Sequence, residues 1–220
     1  TGKTLIDNAV SSGIFVSIAS GNEGYIAGIN WPSCIQNATS VGSVYDANSG
    51  EVAWQGCADK TTKADQITCF SNRAPILDLL APGALITSTS ISGGFEVKGG
   101  TSQAAPHVAG AAALLQDAYN GNLTPQQILW ALNASGKKIW DSKVKTGFFP
   151  WQKGMYFPRI DVEQALAYLS YLDIQNIDWP TENHDYRRTG FTLLKGDMPN
   201  ANAVEKMSFV LKSGFDSPEQ

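Results

Sequence analysis

The sequence has no long apolar run and no cluster of basic residues. None of its apolar segments approaches the roughly 20 residues that a membrane-spanning helix needs. Lys and Arg number 16 against 20 Asp and Glu, which gives a net charge of −4. These absences argue against a membrane span, and against nucleic acid or an anionic membrane as a partner.

The chain also lacks an initiator Met and any signal-peptide pattern at its start. It opens on Thr1-Gly2-Lys3 and passes directly into a helical pattern, so we expect it to be a piece of a longer protein. Its 220 residues are 43% apolar and 16% charged, the composition of a globular protein with one sizeable core.

Cysteine is scarce, with Cys34, Cys57 and Cys69 as its three occurrences. Cys57 and Cys69 bracket a polar segment typical of a surface loop, and an unstrained bridge between them would contribute about 3 kcal/mol of stability. Cys34 would then pair outside this sequence, exchange with one of the other two, or remain a free buried thiol. The alternative is three reduced core cysteines in a cytosolic protein.

Apolar periodicity divides most of the chain into alternating helices and strands. A helix is predicted from Leu5 to a stop at Ser12-Gly13. The apolar run over residues 14–19 is typical of a strand buried on both faces of a parallel sheet. Further strands are predicted over residues 38–44, 76–80, 85–88 and 95–98, and a hairpin-like excursion over residues 46–70 holds two of the cysteines.

The second half of the chain is mainly helical. Helices are predicted over residues 104–119, from Thr124 with Pro125 at the first helical position, and from Arg159 to about Leu172. Strands followed by helices indicate an α/β domain with a mostly parallel sheet. The chain becomes polar and irregular after Leu172, so we predict a domain over residues 1–172 and a linker with the start of another unit over residues 173–220.

One segment carries the strongest chemical signal. Residues 100–110 read Gly-Thr-Ser-Gln-Ala-Ala-Pro-His-Val-Ala-Gly. Small residues place Ser102 at the N-terminus of an Ala-rich helix, where free backbone N–H groups and the helix dipole favour a negative charge beside its hydroxyl. Such a charge develops when a nucleophile attacks a carbonyl. Pro106 is expected in the first turn, where its missing N–H costs little; a plain N-cap role for Ser102 is the alternative.

This segment resembles the serine-bearing signature of the subtilisin family, the subtilases, which reads Gly-Thr-Ser-x-Ala-x-Pro-His-Val-Ala-Gly. Every fixed position is matched, and Gln103 stands where the family usually has Met or a small residue. The resemblance implies a three-layer α/β subtilisin-like fold whose N-terminal part is missing here. It also implies a serine endopeptidase that acts through a Ser102 acyl-enzyme, with Gly100 and Thr101 beside the substrate.

Two further segments resemble the same family. Residues 19–24, Ala-Ser-Gly-Asn-Glu-Gly, resemble its Ala-Ala-Gly-Asn-Glu-Gly turn. The match implies that Asn22 donates to the oxyanion and that Ala19, Ser20 and Gly21 line the S1 specificity pocket, whereas a turn-capping role is the alternative for Asn22. Residues 70–72 and 79–83, Phe-Ser-Asn and Leu-Leu-Ala-Pro-Gly, match the stretch that precedes the serine, so the resemblance covers about residues 1–172.

The rest of the catalytic triad is not recognisable in the sequence. A subtilase needs an Asp that orients a His, and this His acts as the general base for the Ser. Both precede the oxyanion Asn in the family, so we expect them in the missing N-terminal part of the peptidase domain, the partner of this piece. His107 and His184 are the histidines present; His107 is expected to point away from Ser102, and His184 has no family counterpart. The piece alone is therefore expected to be inactive toward its protein or peptide substrate.

The chemistry implied by the family requires no cofactor, but some subtilases hold a structural calcium ion. The resemblance assigns it to Asp78 and to carbonyl oxygens of Gln36 and Ala38, ligand types that calcium accepts. A role for Asp78 in hydrogen bonding to loop amides is the alternative. The resemblance also favours an oxidising compartment, and hence a secreted or cell-envelope protein, either extracellular or periplasmic.

The sequence leaves other functions and a further domain open. Residues 178–191 are similar to the opening segment of some β-propeller repeats, which this sequence would cut short; a disordered extension is the alternative. A non-catalytic subtilase homologue that acts as a binding or scaffold module competes with the peptidase, although it has no chemical need for Ser102 or Asn22. An α/β-hydrolase esterase is disfavoured because Ala104 replaces the second Gly of Gly-x-Ser-x-Gly.

Overall fold

The structure, a computed structural model, describes residues 2–147 and 153–175, with side chains to residue 172. In chain order the elements are α1 (Gly2–Ser11), β1 (Ser17–Ala19), β2 (Thr39–Val44), β3 (Val52–Trp54), β4 (Cys57–Asp59), β5 (Leu79–Pro82), β6 (Ile86–Thr89), β7 (Phe95–Lys98), α2 (Thr101–Ala118), α3 (Pro125–Ser135), β8 (Lys137–Lys145), β9 (Lys153–Arg159) and α4 (Val162–Gln175). As predicted, α1 ends just before Gly13, whose φ of 85° suits glycine.

A five-stranded sheet in the order β1-β2-β5-β9-β8 lies at the centre. β1, β2, β5 and β9 are parallel along this order, and β8 is antiparallel to β9. The strand predicted over residues 38–44 is present as β2, and all six of its residues are buried. The predicted α/β fold with a mostly parallel sheet is therefore confirmed.

The first strand differs from its prediction. Residues 14–19 were expected to form a strand buried on both faces, but β1 contains only Ser17–Ala19 and all three residues are half-buried. β1 lies at the edge of the sheet formed by the described residues. Its outer side therefore has no neighbouring strand there, which explains the incomplete burial.

The larger core lies between the sheet and the helices α2, α3 and α4. Its fully buried apolar side chains come from strands and helices alike and include Val41, Leu79, Val108, Leu115, Leu132 and Leu169. Burying one such side chain contributes about 1.5–3 kcal/mol. α3 begins as predicted, with Pro125 in its first turn and Thr124 and Gln127 capping each other's backbone N–H.

The sequence pattern did not predict β8 and β9, which we call the terminal hairpin. Its side chains Val144 and Phe157 are fully buried in a second core beside β2 and β5. Arg159, expected to open the last helix, ends β9 instead. Asp161 caps α4, since its Oδ1 accepts from the Gln164 N–H at 3.1 Å, and α4 continues to Gln175.

The predicted excursion between β2 and β5 contains an antiparallel pair, β3 and β4, which we call the disulfide hairpin. The predicted Cys57–Cys69 bridge is present, with Cα atoms 6.1 Å apart. Cys34 is free and exposed, so of its three alternatives the free buried thiol is wrong. It lies in the loop before β2, where its side chain packs into neither core.

Some predictions fall on residues that the structure does not describe. His184 and the propeller-like segment over residues 178–191 lie outside the described residues, and the domain boundary at residue 173 stays a prediction. Within the described ranges, no helix combines the length and apolar character needed to cross a membrane.

Candidate active site

Ser102 is the second residue of α2, and its side chain is exposed. The helix begins three residues earlier than predicted because Gly100 adopts a φ of 153° and ends the preceding loop there. Pro106 consequently lies inside the helix rather than in its first turn, so that expectation is wrong. Its ring nitrogen cannot donate to the carbonyl of Ser102, one turn earlier.

Asn22 lies beside this segment, although almost 80 residues separate the two in sequence. Its Oδ1 accepts from the Thr101 N–H at 2.8 Å and from Thr101 Oγ1 at 3.0 Å. Thr101 Oγ1 also accepts from the Gly21 N–H at 3.2 Å. These contacts join the turn that carries Asn22 (residues 20–24, the Asn22 turn) to the turn that leads into Ser102 (residues 99–102, the Ser102 turn).

The contacts of Asn22 also fix which way its amide points. A backbone N–H is only a donor, so the oxygen of Asn22 must face Thr101 and the NH₂ group must face the other way. Nδ2 lies 3.5 Å from the position that a Cβ on Gly100 would occupy. No acceptor for Nδ2 lies within hydrogen-bonding distance in the part of the chain that the structure describes. A donor is thus held in place next to the Ser102 turn.

The Ser102 turn is also fixed from the side of β5. The Gly100 N–H donates to the Gly83 carbonyl at 2.8 Å. A Cβ on Gly83 would lie 2.5 Å from Ser43 Oγ and 2.8 Å from the Gly100 carbonyl oxygen. Glycine at position 83 therefore allows the Ala-Pro-Gly stretch to approach the turn closely.

The residues assigned to the substrate pocket differ in exposure. Ala19 and Gly21 are half-buried, and Gly21 has a φ of 108°. Ser20 and Thr101 are fully buried, and Ser20 Oγ donates to the Asn72 carbonyl at 2.8 Å. Any contact of these two residues with a substrate is therefore expected from the backbone.

Asn72 holds the Asn22 turn in place, a role that the sequence did not reveal. Its Oδ1 accepts from the backbone N–H groups of Glu23 and Tyr25, at 3.1 and 2.9 Å. Its Nδ2 donates to the Ser20 carbonyl, to Glu23 Oε2 and to Asn30 Oδ1. Asn72 is fully buried. Its side-chain hydrogen bonds are made to the Asn22 turn and to Tyr25 and Asn30, which follow it.

The acidic residue of the Asn22 turn, Glu23, accepts hydrogen bonds from amide groups rather than pairing with a cation among the described residues. Hydrogen bonds from Asn72, at 2.6 Å, and from Asn30, at 3.0 Å, reach Glu23 Oε2. The bond from Asn72 is the main cause that lowers the pKa of Glu23, against a smaller opposing effect of desolvation. Glu23 therefore keeps its negative charge beside Asn22 in neutral and mildly acidic solution.

No base accompanies Ser102 among the described residues. His107 is the histidine that they contain, and its Nδ1 lies 2.7 Å from the Gln103 carbonyl on the preceding turn of α2. Its side chain is exposed and bonds within the helix, as expected for a residue that does not serve Ser102. The exposed hydroxyl of Ser102 therefore has no activating partner in this part of the protein.

Asp78, the carboxylate assigned to calcium, is hydrogen-bonded to Ser40 of β2. Asp78 Oδ2 accepts from both the backbone N–H and the hydroxyl of Ser40, each at 2.7 Å. Among residues 2–147 and 153–172 no group of three or more His, Cys, Asp or Glu side chains is placed to hold a metal. This bonding fits the alternative role for Asp78, and the calcium set with Gln36 and Ala38 stays a prediction.

Comparison with known proteins agrees with the motifs. A family model described as the subtilase family matches residues 1–146 of the 220. A subtilisin of Bacillus pumilus is 40% identical over 116 residues, which are 51% of this chain and 36% of that protein. Alkaline serine exoprotease A of Vibrio alginolyticus is 34% identical over 143 residues, which are 64% of this chain and 23% of that protein.

Comparison with solved structures also finds subtilisin-like proteins. A cold-adapted subtilisin-like serine proteinase has a TM-score of 0.52 at 30% identity, and the match covers 71% of this chain and 48% of that one. The chain thus spans about half of that proteinase, and the matches above cover between about a quarter and a third of the curated relatives. The predicted subtilisin-like fold is confirmed.

Proposed function

The chain belongs to the subtilase family, and from this premise we propose that it supplies the nucleophile and the oxyanion donor of a serine endopeptidase. Ser102 attacks the carbonyl carbon of a peptide bond and becomes acylated, and the amine half of the substrate leaves. Water then attacks the acyl-enzyme and releases the second product. Each attack places a negative charge on the former carbonyl oxygen.

The single observation that carries this proposal is the fixed orientation of the Asn22 amide. Thr101 holds its oxygen at 2.8 and 3.0 Å, so the NH₂ group is held close to Gly100 of the Ser102 turn before any substrate arrives. A donor placed in advance needs no reorganisation when charge develops, which is why such groups stabilise a transition state well. The N-terminus of α2 adds the positive end of its dipole.

The base that removes the Ser102 proton must come from another segment of the protein. A neutral Ser is a weak nucleophile, and the sequence offers only His107 and His184. We propose that the general-base His and its orienting Asp belong to a segment outside these 220 residues. This chain alone is then inactive, and its partner is the segment that brings the base.

The proposal extends to substrate and compartment. The substrate is a protein or peptide, as the subtilase family implies. Its scissile carbonyl group must reach Ser102, whose side chain is exposed. We place the protein outside the cell or in the cell envelope, because the Cys57–Cys69 bridge persists in oxidising surroundings. A bridge found reduced in protein isolated from its native source would contradict this location.

Kinetics of the longer protein that contains this chain test the chemistry. We expect Ser102→Ala to abolish peptide hydrolysis, and Ser88→Ala, a change of the same kind at an exposed position of β6, to leave it unaffected. Asn22→Ala should lower kcat with little change in KM. The expected loss is of the order measured for the oxyanion Asn of subtilisin, about 10²- to 10³-fold in kcat. Asn8→Ala on the exposed side of α1 is the matched control.

Two results would contradict the proposal. Activity that survives in Ser102→Ala would place the nucleophile elsewhere. A wild-type protein that is folded and hydrolyses no peptide would favour the alternative of a non-catalytic subtilase homologue that acts as a binding or scaffold module.

A further inference from the structure

Trp54 of the disulfide hairpin packs directly on the Ser102 turn. A Cβ built on Gly99 would lie 2.2 Å from two ring carbons of Trp54. That distance is far shorter than any real contact, so the indole ring lies against the backbone of Gly99 and no side chain fits between them. The contact is made three residues before Ser102.

The indole ring is itself held from several sides. Trp54 Nε1 donates to Tyr45 Oη at 2.7 Å, and Tyr45 is 1% exposed. The hydroxyl of Tyr45 donates in turn to Asp59 Oδ2 at 2.8 Å. Phe70 meets Trp54 edge to face, with ring centroids 5.0 Å apart. Both the position and the tilt of the ring are therefore determined.

The bridge joins the same hairpin to a segment that contacts the Asn22 turn. Trp54 pairs with Cys57 across the hairpin, and Cys57 is bonded to Cys69. The carbonyl oxygen of Cys69 lies 2.8 Å from where a Cβ on Gly24 would be, and the Gly24 N–H donates to the Phe70 carbonyl at 2.7 Å. The disulfide hairpin therefore contacts the Ser102 turn through Trp54, and the segment to which the bridge joins it contacts the Asn22 turn through Cys69 and Phe70.

Gly99 and Gly100 need such external support. Two consecutive glycines have wide conformational freedom, so the backbone that leads to Ser102 is not fixed by its own side chains. Gly83 holds Gly100 from the sheet side, and Trp54 covers Gly99 from the hairpin side. A shift of about 1 Å in a reacting group can cost about 10²-fold in rate.

We propose that Trp54 is a positioning residue for Ser102. Trp54 acts through Gly99, and the disulfide hairpin with its Cys57–Cys69 bridge holds it in place. This inference rests on the proposed function of Ser102. Trp54 takes no part in the chemistry itself, but it restricts the backbone that places the hydroxyl.

The test compares two tryptophans in the longer protein that contains this chain. Trp140 in the terminal hairpin packs on Gly154 in the same manner, because its ring lies 2.4 Å from where a Cβ on Gly154 would be. Trp140 belongs to β8, at the opposite edge of the sheet from β1, and so serves as the control. We expect Trp54→Ala to lower kcat about 10-fold with KM changed less than about 2-fold. Trp140→Ala should leave both unchanged at a temperature where all variants are folded, and Trp54→Phe should recover most of the lost kcat.

A double-mutant cycle shows whether the effect passes through Gly99. Gly99→Ala places a methyl group against the indole ring and should lower kcat although Trp54 is present. In Trp54→Ala/Gly99→Ala the two losses should not add, because residues in contact are coupled. Additive losses, or a Trp54→Ala protein with normal kcat and a lowered melting temperature, would overturn the proposal.

Hydrogen exchange supplies a measurement that is independent of activity. The Gly100 N–H, bonded to Gly83, should exchange faster in Trp54→Ala and at the wild-type rate in Trp140→Ala. Unchanged exchange over residues 99–102 in Trp54→Ala would overturn the inference. If wild-type protein shows no hydrolysis but exchange responds as expected, the proposed function fails while the packing role of Trp54 stands.

Discussion

The disulfide hairpin and the terminal hairpin each carry a Trp packed on a Gly, but only the terminal hairpin joins the central sheet. Val144 and Phe157 of the terminal hairpin are fully buried. In the disulfide hairpin no residue of β3 or β4 is fully buried. A hairpin outside the sheet gains little from apolar burial, so it depends on other bonds for its position.

The bonds that hold the two hairpins differ accordingly. The disulfide hairpin has the Cys57–Cys69 bridge. The terminal hairpin has ion pairs, of which Arg73 Nε and Asp141 Oδ2, 2.5 Å apart, are both about 95% buried. A covalent bond responds to reducing agents, whereas a buried ion pair responds to the loss of either charge. The comparison teaches that both hairpins are held by strong bonds, but only the disulfide hairpin also contacts the candidate active site.

The largest effect is expected from breaking the buried ion pair of the terminal hairpin. Asp141→Ala leaves the Arg73 charge buried without its partner and should cost about 3–5 kcal/mol of unfolding free energy. Replacing both charges, in Arg73→Met/Asp141→Leu, should cost far less because no unpaired charge remains. Urea unfolding of the three proteins measures this. Equal losses in the single and the double variant would show that the pair does not act as a unit.

Removal of the disulfide should have the next largest effect. Cys57→Ala/Cys69→Ala frees a loop with a sequence separation of 12 and should cost about 3 kcal/mol. Unlike changes in the terminal hairpin, it should also lower kcat in folded protein, because Trp54 loses its covalent support. Cys34→Ala, at an exposed free thiol, is the control and should change neither. A disulfide-free variant with normal kcat would remove the distinction between the hairpins.

The smallest effect concerns alkaline pH. Burial, followed by the carboxylate of Asp59, raises the pKa of Tyr45 to about 12 from its usual value of 10.0. The unfolded chain therefore releases the Tyr45 proton first, so stability is complete below pH 10 and falls as the pH rises from 10 to 12. The unfolding free energy of Tyr45→Phe should fall less steeply in this window. Parallel pH profiles for the two proteins would show that Tyr45 does not titrate in this way.

Local patterns in the sequence predicted the parts of the fold that depend on local rules. The Thr124–Pro125 start of α3 follows from capping and is confirmed, and the strand predicted over residues 38–44 is present as β2. The terminal hairpin was missed because its strands show no regular polar and apolar alternation, and β9 also contains a Gly and a Pro, which are uncommon inside strands. β1 was predicted too long because burial depends on neighbouring strands that a sequence does not display.

The same limit applies to the candidate site. The sequence motifs identified Ser102 and Asn22, and the structure brings them together through Thr101. The supporting roles of Asn72 and Trp54 were not predictable, since each depends on contacts across 45 residues or more. Asn72 lies in a segment that matched the family, but the match did not indicate its contacts, and Trp54 carried no local signal because a Trp in a hairpin is ordinary.

Covalent labelling tests the central claim most directly. The longer protein that contains this chain is treated with a fluorophosphonate, which reacts with an activated serine, and the modified peptide is located by mass spectrometry. The account predicts a single adduct on Ser102, slower labelling in Asn22→Ala and no labelling of the 220-residue chain alone. An adduct on another residue, or equally fast labelling of the isolated chain, would contradict it.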